Sequence, residues 1–299
     1  MRWGDARRKR SEAERPVLRA LVTGGAGMLG SDVLDVLAAR GHEAVGYARA
    51  DLDITRHADV EEVIADLRPD VVFNCAAYTN VDGAEEEEDA AMAVNDAGAA
   101  LVASVAASYG AAVVYPSSDY VFSGEKRQPY VESDVTGPLS AYGRSKQAGE
   151  TSVAVANPRH YIVRTSWLFG VNGPNFVETM LRLADEQSEV VVVTDQVGAP
   201  TYTRHLAQGL VLLAESQEYG IHHIAASGSC SWYEFAQEIF DQAAVECRVM
   251  AGTTEMLARP APRPAYSVLG SERPDPIVLP HWRTGLSEYL AQRRAKVGA

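Results

Sequence analysis

The sequence has few cysteines: only Cys75, Cys230 and Cys247 occur among 299 residues. Their odd number and the lack of CxxC spacing predict neither a disulfide framework nor a zinc site. We therefore expect no metal centre. Unpaired thiols are typical of a reducing compartment, so the sequence favours the cytoplasm.

Long apolar runs and positive charge are also scarce. No run approaches the roughly 20 apolar residues that a membrane-spanning helix needs, and the basic start at 1–16 lacks the apolar core of a secretory signal. The net charge of -13 argues against general binding to nucleic acid or to anionic membranes. We expect neither as a partner, and we expect residues 1–16 to form a flexible extension.

A glycine-rich turn follows the first apolar segment. LRALVT, at 18–23, runs into Gly24, Gly27 and Gly30 before a helix-periodic stretch. The order of strand, glycine turn and helix is typical of dinucleotide binding, because glycine lets a pyrophosphate approach the first helical N-H groups. A glycine turn without a ligand is the alternative interpretation.

The end of the second predicted strand bears on cofactor choice. Folds that prefer NAD usually carry an acidic residue there, whereas this strand ends in Arg49, and an arginine can bind a 2'-phosphate. The sequence therefore favours NADPH. Asp51 and Asp53 stand close by, which leaves NADH open as a second cofactor.

Tyr142 and Lys146 lie four residues apart in a predicted helix, so both side chains share one face. An ammonium about 4 Å from a phenol supplies the order of energy, roughly 4 kcal/mol, that brings the phenol pKa from about 10 towards neutrality. A chance pair on a surface helix is the alternative for this motif alone. Ser118, however, ends a predicted strand where open α/β sheets bind ligands, and together the three residues favour a catalytic set.

Three other features have simpler explanations. The acidic run at 85–89 is predicted to be a solvated helix start, and Thr55 is predicted to cap the helix that ends before Pro69. His222 and His223 lack acidic or cysteine neighbours, so packing or exposure is favoured over metal binding.

Taken in order, the motifs resemble the extended short-chain dehydrogenase/reductases, and within them the dTDP-4-dehydrorhamnose reductase family. The resemblance covers nearly everything from Leu18 onward. The motifs are GGAGMLG, LDIT, RPDVVFNCAAYTNVDGAE, SSDYVFSG, PLSAYGRSKQAGE, RTSWLFG, Asn175-Phe176 and DQVGAPT. The family usually has threonine where Ser118 stands; serine keeps the hydroxyl but loses the methyl group that fixes its rotamer.

The resemblance implies an α/β fold: a Rossmann doubly wound parallel sheet with a smaller C-terminal substrate-binding domain. The dinucleotide-binding domain would span 17–170 with a return segment at 203–226. The substrate-binding domain would comprise 171–202 and 227–299.

The resemblance also implies roles for individual residues. The catalytic set would be Ser118, Tyr142 and Lys146. Beyond Gly24, Gly30 and Arg49, the cofactor would contact Gly27, Met28, Leu29, Asp53, Ile54, Ala76, Ala77, Tyr78, Tyr142 and Lys146. The substrate would contact Val81, Ser118, Asp119, Tyr120, Trp167, Asn175 and Arg263.

The implied activity is NADPH-dependent reduction of the C4 ketone of a dTDP-linked 4-keto-6-deoxy sugar. A related dehydratase or epimerase is disfavoured because Tyr120, rather than glutamate, follows Asp119. A binding-only regulatory subunit is disfavoured by the intact catalytic set. A reductase for another 4-keto sugar stays open, and so does a homodimer.

Overall fold

Six parallel strands form the sheet that positions the site, in a computed structural model that describes residues 17–297. The extension predicted at 1–16 lies outside these residues. With strands numbered in chain order, the sheet contains β1 (Arg19–Thr23), β2 (Glu43–Tyr47), β3 (Val71–Asn74), β4 (Ala112–Ser118), β5 (His160–Thr165) and β10 (Gly220–His223).

The spatial order of the strands is β10-β5-β4-β3-β1-β2, and every neighbouring pair is parallel. The winding direction changes between β1 and β3, which opens a crevice at the carboxyl ends of these strands. The predicted Rossmann doubly wound sheet is confirmed.

Helices cover both faces of this sheet because successive strand residues point to opposite sides. Val22 of β1 belongs to the apolar cluster shared with α1 and α7, whereas its neighbour Leu21 belongs to the cluster shared with α2 and α4. The bounds are α1 (Met28–Ala39), α2 (His57–Leu67), α3 (Glu88–Met92), α4 (Ala99–Ser108), α5 (Ala141–Ala156) and α7 (Thr203–Ala214).

Helices α3 and α4 are joined by a π-helical turn, Ala93–Gly98, into one helical segment, Glu88–Ser108. Within residues 17–297 this segment alone is long and apolar enough to cross a membrane, by length and composition only. The expectation that no such run exists is therefore wrong. The α4 part contributes Val102 and Val105 to the core under the sheet.

A second apolar cluster lies outside the sheet and runs from Phe169 to Leu290. Its residues come mainly from the ranges predicted for a substrate-binding domain; the division and its boundaries stay a prediction. The strands in this part are β6 (Leu168–Phe169), β7 (Glu189–Val193), β8 (Val197–Gly198), β9 (Thr201–Tyr202), β11 (Ala226–Ser227), β12 (Cys230–Ser231), β13 (Arg248–Gly252) and β14 (Leu279–His281). The helices are α6 (Phe176–Glu186), α8 (Trp232–Ala243), α9 (Thr254–Leu257) and α10 (Trp282–Val297).

Candidate active site

The glycine turn places the N-terminus of α1 at the crevice. Gly24 has φ of +63°, and a Cβ there would lie 2.8 Å from the Ala76 amide nitrogen. Gly27 is the N-cap of α1 and offers no side-chain hydrogen bond, while a Cβ on Gly30 would clash with the Gly24 carbonyl. The first N-H groups of the helix are thus left for an anion, and the close backbone packing fits a pyrophosphate.

The residues predicted for the adenosine side lie in different environments. Leu29 and Ile54 are buried in two different apolar clusters of the sheet. Asp53 accepts hydrogen bonds from the Thr55 amide (3.0 Å) and hydroxyl (2.7 Å), which lower its pKa. Thr55 is thereby occupied, and the expected Thr55 cap is wrong: Arg56 stands at the N-cap of α2 without a side-chain bond. Arg49 is exposed after β2.

The segment after β3 is fixed by the π-helical turn. The Asn95 side chain accepts from the Tyr78 amide (2.9 Å) and donates to the Tyr78 carbonyl (3.0 Å). Ala76 donates its amide to Thr23 Oγ1 at 3.3 Å. Ala76, Ala77 and Tyr78 therefore lie at the carboxyl end of β3, beside the glycine turn, where the prediction requires them.

Ser118 and Tyr142 meet at the end of β4. The Ser118 hydroxyl lies close enough to the Tyr142 phenol to lower its pKa. Ser118 Oγ donates to Asp119 Oδ1 (3.0 Å) and accepts from the Tyr120 amide (3.1 Å). The other carboxylate oxygen of Asp119 accepts from Ser267 Oγ at 2.5 Å. Burial raises the pKa of Asp119 to about 6 despite these bonds.

The Tyr142 phenol has a raised pKa, which differs from the sequence-based expectation. Desolvation raises the pKa most, and the Asp119 carboxylate adds to the effect, whereas the nearby Ser118 hydroxyl opposes both. The expected lowering by Lys146 is not what the structure shows. Tyr142 is thus a protonated phenol at neutral pH, as a group that donates a proton must be.

Lys146 points at an aromatic ring. Its Nζ lies 3.9 Å from the centre of the Tyr115 ring, and its side chain is 2% exposed. Burial lowers the pKa of Lys146 to about 7, opposed by the charge of Glu150 one helical turn away. The ammonium is thus partly titrated at neutral pH.

Behind Lys146, Glu150 forms a buried ion pair. Arg164 binds both carboxylate oxygens, through Nε at 2.9 Å and Nη2 at 2.8 Å. Ser117 Oγ donates to Glu150 Oε1 at 2.6 Å. This network joins β4, α5 and β5 directly under the catalytic candidates.

The acidic run at 85–89 supports the catalytic helix. Glu85 Oε1 accepts from the Ala141 amide at 2.8 Å, and Glu88 binds Arg144 through both oxygens at 2.8 and 2.9 Å. These contacts flank Tyr142. The predicted solvated helix start is correct only in part, since the run also fixes the first turn of α5.

The predicted substrate residues form two groups. In the first, Arg263 Nη2 binds the Asp82 carboxylate at 3.0 and 3.1 Å, and its charge lies near enough to the Tyr120 phenol to oppose the rise of the Tyr120 pKa. The Tyr120 ring meets the Tyr142 ring edge-on at 5.7 Å. Val81 adjoins Asp82, so the structure brings Val81, Tyr120 and Arg263 together beside Tyr142.

The second group comprises Trp167 and Asn175. Trp167 has φ of +49°, and its ring stacks on Trp232 with centroids 3.6 Å apart. Asn175 caps α6 and donates to the carbonyls of Gly170 (2.8 Å) and Gly173 (3.1 Å). Asn175 therefore has an observed structural role, and its contact with substrate stays a prediction.

Among the described residues, no group of three or more His, Cys, Asp or Glu side chains could hold a metal ion. Cys75, Cys230 and Cys247 are free thiols.

Comparison with known proteins identifies the family. A model described as RmlD substrate binding domain matches residues 18–295. A dTDP-4-dehydrorhamnose reductase of Streptomyces griseus is 44% identical over 293 residues, covering 95% of this chain and 96% of that protein. The chain belongs to the RmlD family.

Two further relatives extend the comparison. The structure of dTDP-4-dehydrorhamnose reductase from Bacillus anthracis, in complex with NADP, is 38% identical with a TM-score of 0.90 and covers 93% of this chain and 100% of that chain. A dTDP-4-keto-6-deoxy-D-glucose reductase of Streptomyces niveus is 41% identical over 275 residues, covering 90% of this chain and 96% of that protein. The recognition of the family from its motifs is confirmed.

Sequence reasoning missed several residues of this RmlD-family site. Three residues that contact predicted site residues lie outside all of the quoted motifs. They are Asn95, Tyr115 and Ser267. Asp82, the acidic partner of Arg263, lies within a quoted motif. The two residues are 181 positions apart, so the sequence did not indicate that they pair. A shared strand end could have indicated Tyr115, which lies three residues before Ser118.

Proposed function

We propose that this protein is an NADPH-dependent reductase of the C4 ketone of dTDP-4-dehydro-β-L-rhamnose, giving dTDP-β-L-rhamnose. The observation that carries the proposal is the placement of the Ser118 hydroxyl beside the Tyr142 phenol at the carboxyl edge of the sheet. It lies beside a glycine turn that fits a pyrophosphate, in a chain of the RmlD family. The relative solved with NADP supports the choice of cofactor.

The residues divide the chemistry among them. When bound, NADPH supplies the hydride that reduces C4 and is oxidised to NADP⁺. Tyr142 donates its phenolic proton to the oxygen of the former ketone, and Ser118 orients that oxygen by hydrogen bonding. Lys146 binds the nicotinamide ribose and supplies positive charge near the phenolate that forms.

The cofactor and substrate occupy separate sides of the crevice in this proposal. Gly24, Gly27 and the first turn of α1 hold the pyrophosphate of NADPH. Arg263 and Tyr120 face the substrate, and Trp167 gives an apolar wall for the sugar. The protein acts in the cytoplasm, which its free thiols favour.

A second candidate keeps the reaction and changes the sugar. The Streptomyces niveus relative is named for reduction of dTDP-4-keto-6-deoxy-D-glucose, and it is nearly as similar to this chain as the dTDP-4-dehydrorhamnose reductase of Streptomyces griseus. Serine at 118 in place of the family's usual threonine also favours a specialised pocket. The two candidates differ in the sugar that is reduced.

The deciding experiment generates the 4-keto sugar nucleotide in situ, adds enzyme and NADPH, and identifies the product and its C4 configuration by NMR. We expect dTDP-β-L-rhamnose. Turnover of dTDP-4-keto-6-deoxy-D-glucose but not of dTDP-4-dehydro-β-L-rhamnose would establish the second candidate, and a C4 epimer of the rhamnose product would overturn the first. No turnover with any dTDP-4-keto-6-deoxyhexose would leave a binding-only protein and overturn both.

Arg49 is expected to set the preference for NADPH over NADH. A charge-assisted contact with the 2'-phosphate is worth about 1.5–3 kcal/mol, so Arg49→Ala should reduce the ratio of affinities roughly ten- to hundredfold. Cofactor fluorescence measures both dissociation constants without turnover. Arg56→Ala is the control, because Arg56 is also near Asp53 but pairs with Asp59 at 3.5 Å. An unchanged ratio in Arg49→Ala would show that the arginine points elsewhere.

A further inference from the structure

The contact between Lys146 and Tyr115 is a built feature of the fold. Tyr115 is 1% exposed and Lys146 is 2% exposed. The two side chains are therefore in contact inside the protein and not at its surface. The ammonium lies 3.9 Å from the ring centre, within the distance at which a cation is attracted to an aromatic face. Since water is excluded, the attraction is stronger than at an exposed site.

The ring is held in place from its far end. Tyr115 donates its hydroxyl to the Asn95 carbonyl at 2.7 Å, and Asn95 lies in the π-helical turn Ala93–Gly98. Gly149 of α5 makes room for this bond, because a Cβ there would clash with both the Asn95 carbonyl and the Tyr115 hydroxyl. Three elements thus converge to fix one ring beneath one lysine.

We propose that Tyr115 is a positioning residue for Lys146: its ring face holds the ammonium at the site, and its hydroxyl bond to Asn95 fixes the ring. This inference rests on the proposed function, since Lys146 matters through its contact with the cofactor and its charge near Tyr142. Tyr115 itself donates nothing to substrate.

Other groups around Lys146 do not replace this contact. Glu150 also favours the ammonium, but Arg164 already binds both of its oxygens. Cys75 faces the lysine from the end of β3, and burial raises the pKa of its thiol to about 12, so it stays neutral. Tyr142 is a protonated phenol, so it offers Lys146 no negative charge.

Asp96 and Asp119 are further charged groups on neighbouring elements. The charge of Asp96, in the π-helical turn, raises the pKa of Tyr115. The charge of Asp119, at the end of β4, raises the pKa of Tyr142. The Tyr115 variants below leave both aspartates in place. A change in the titration of Lys146 can therefore be assigned to the ring.

The test compares Tyr115→Leu, which removes the ring, with Tyr115→Phe, which removes only the hydroxyl. Lys9, Lys126, Lys146 and Lys296 are the only lysines in the sequence, so NMR of ¹³C-lysine-labelled protein gives few signals, and Lys146→Arg identifies the one of interest. In the wild type we expect the Lys146 ε-protons to be shifted upfield by the ring. Tyr115→Leu should abolish that shift and lower the Lys146 titration midpoint by about 0.5–1.5 pH units.

Tyr115→Phe should keep most of the upfield shift and lower the midpoint less than Tyr115→Leu does, because the ring stays in place but loses its bond to Asn95. Lys126, whose Nζ lies 5.2 Å from the Tyr130 ring, is the internal control and should not move in either variant. In turnover assays the fall of kcat/KM with rising pH should begin at lower pH in Tyr115→Leu, because less of Lys146 is protonated.

An ordinary Lys146 signal in the wild type would overturn the proposal even if Tyr115→Leu failed to fold. An unchanged midpoint in Tyr115→Leu, or an equal loss in Tyr115→Phe, would also overturn it. The NMR measurements need no substrate, so their outcome is separate from the test of the proposed reaction.

Discussion

Replacing Tyr142 with phenylalanine is expected to lower kcat by about 10² or more while leaving NADPH affinity nearly unchanged. The size is that of general acid catalysis by one positioned group. The phenol is half-buried and carries a raised pKa, so it holds its proton at neutral pH until the ketone oxygen becomes basic. Phenylalanine keeps the ring and its packing, so the variant loses only the hydroxyl that donates the proton. Single-turnover kinetics and cofactor fluorescence measure the two effects separately.

Tyr120→Phe is the matched control for this prediction. Tyr120 is a second phenol in ring contact with Tyr142, and burial raises its pKa to about 12. Its loss should leave the proton donor intact and reduce kcat less than Tyr142→Phe does. Near-normal turnover in Tyr142→Phe, or a greater loss in Tyr120→Phe, would remove Tyr142 from the proposed role.

Local sequence signals predicted the fold because each acts over a few residues. The spacing of Gly24, Gly27 and Gly30 is read within a single strand–turn–helix unit, and the structure has that unit at β1 and α1. Four-residue spacing likewise put Tyr142 and Lys146 on one helix, and α5 contains both. The spacing could not predict that the Lys146 side chain points at the Tyr115 ring.

Contacts between residues far apart in the chain could not be predicted from local sequence patterns. Asp119 and Ser267 are 148 positions apart and meet only after the chain returns to the sheet. The pKa of Tyr142 depends on that same folded surrounding, where desolvation outweighs a neighbouring charge. Thr55 failed as a cap for a local reason: Asp53, two residues earlier, takes its hydroxyl, and such short-range side-chain bonds compete with capping.

Replacing Arg164 with methionine is expected to destabilise the protein by about 3–5 kcal/mol, the usual cost of leaving one partner of a buried ion pair uncompensated. The side chains of Arg164 and Glu150 are 4% and 6% exposed. Without Arg164, the Glu150 carboxylate would keep the Ser117 hydroxyl and the partly titrated Lys146 one helical turn away, and neither replaces a guanidinium bound to both oxygens. The free energy of unfolding, measured in urea, gives the loss directly.

Two further variants separate the ion pair from simple loss of side-chain volume. Arg164→Met with Glu150→Leu removes both charges, and it should recover a large part of the stability because no buried charge is left unpaired. Arg182→Met makes the same substitution at a surface pair, where Arg182 and Glu186 are 60% and 57% exposed, and should cost only about 0–1 kcal/mol. If Arg164→Met proved as mild as Arg182→Met, or if the double variant were no more stable than Arg164→Met, the Glu150–Arg164 pair would not be what holds β5 to the catalytic helix.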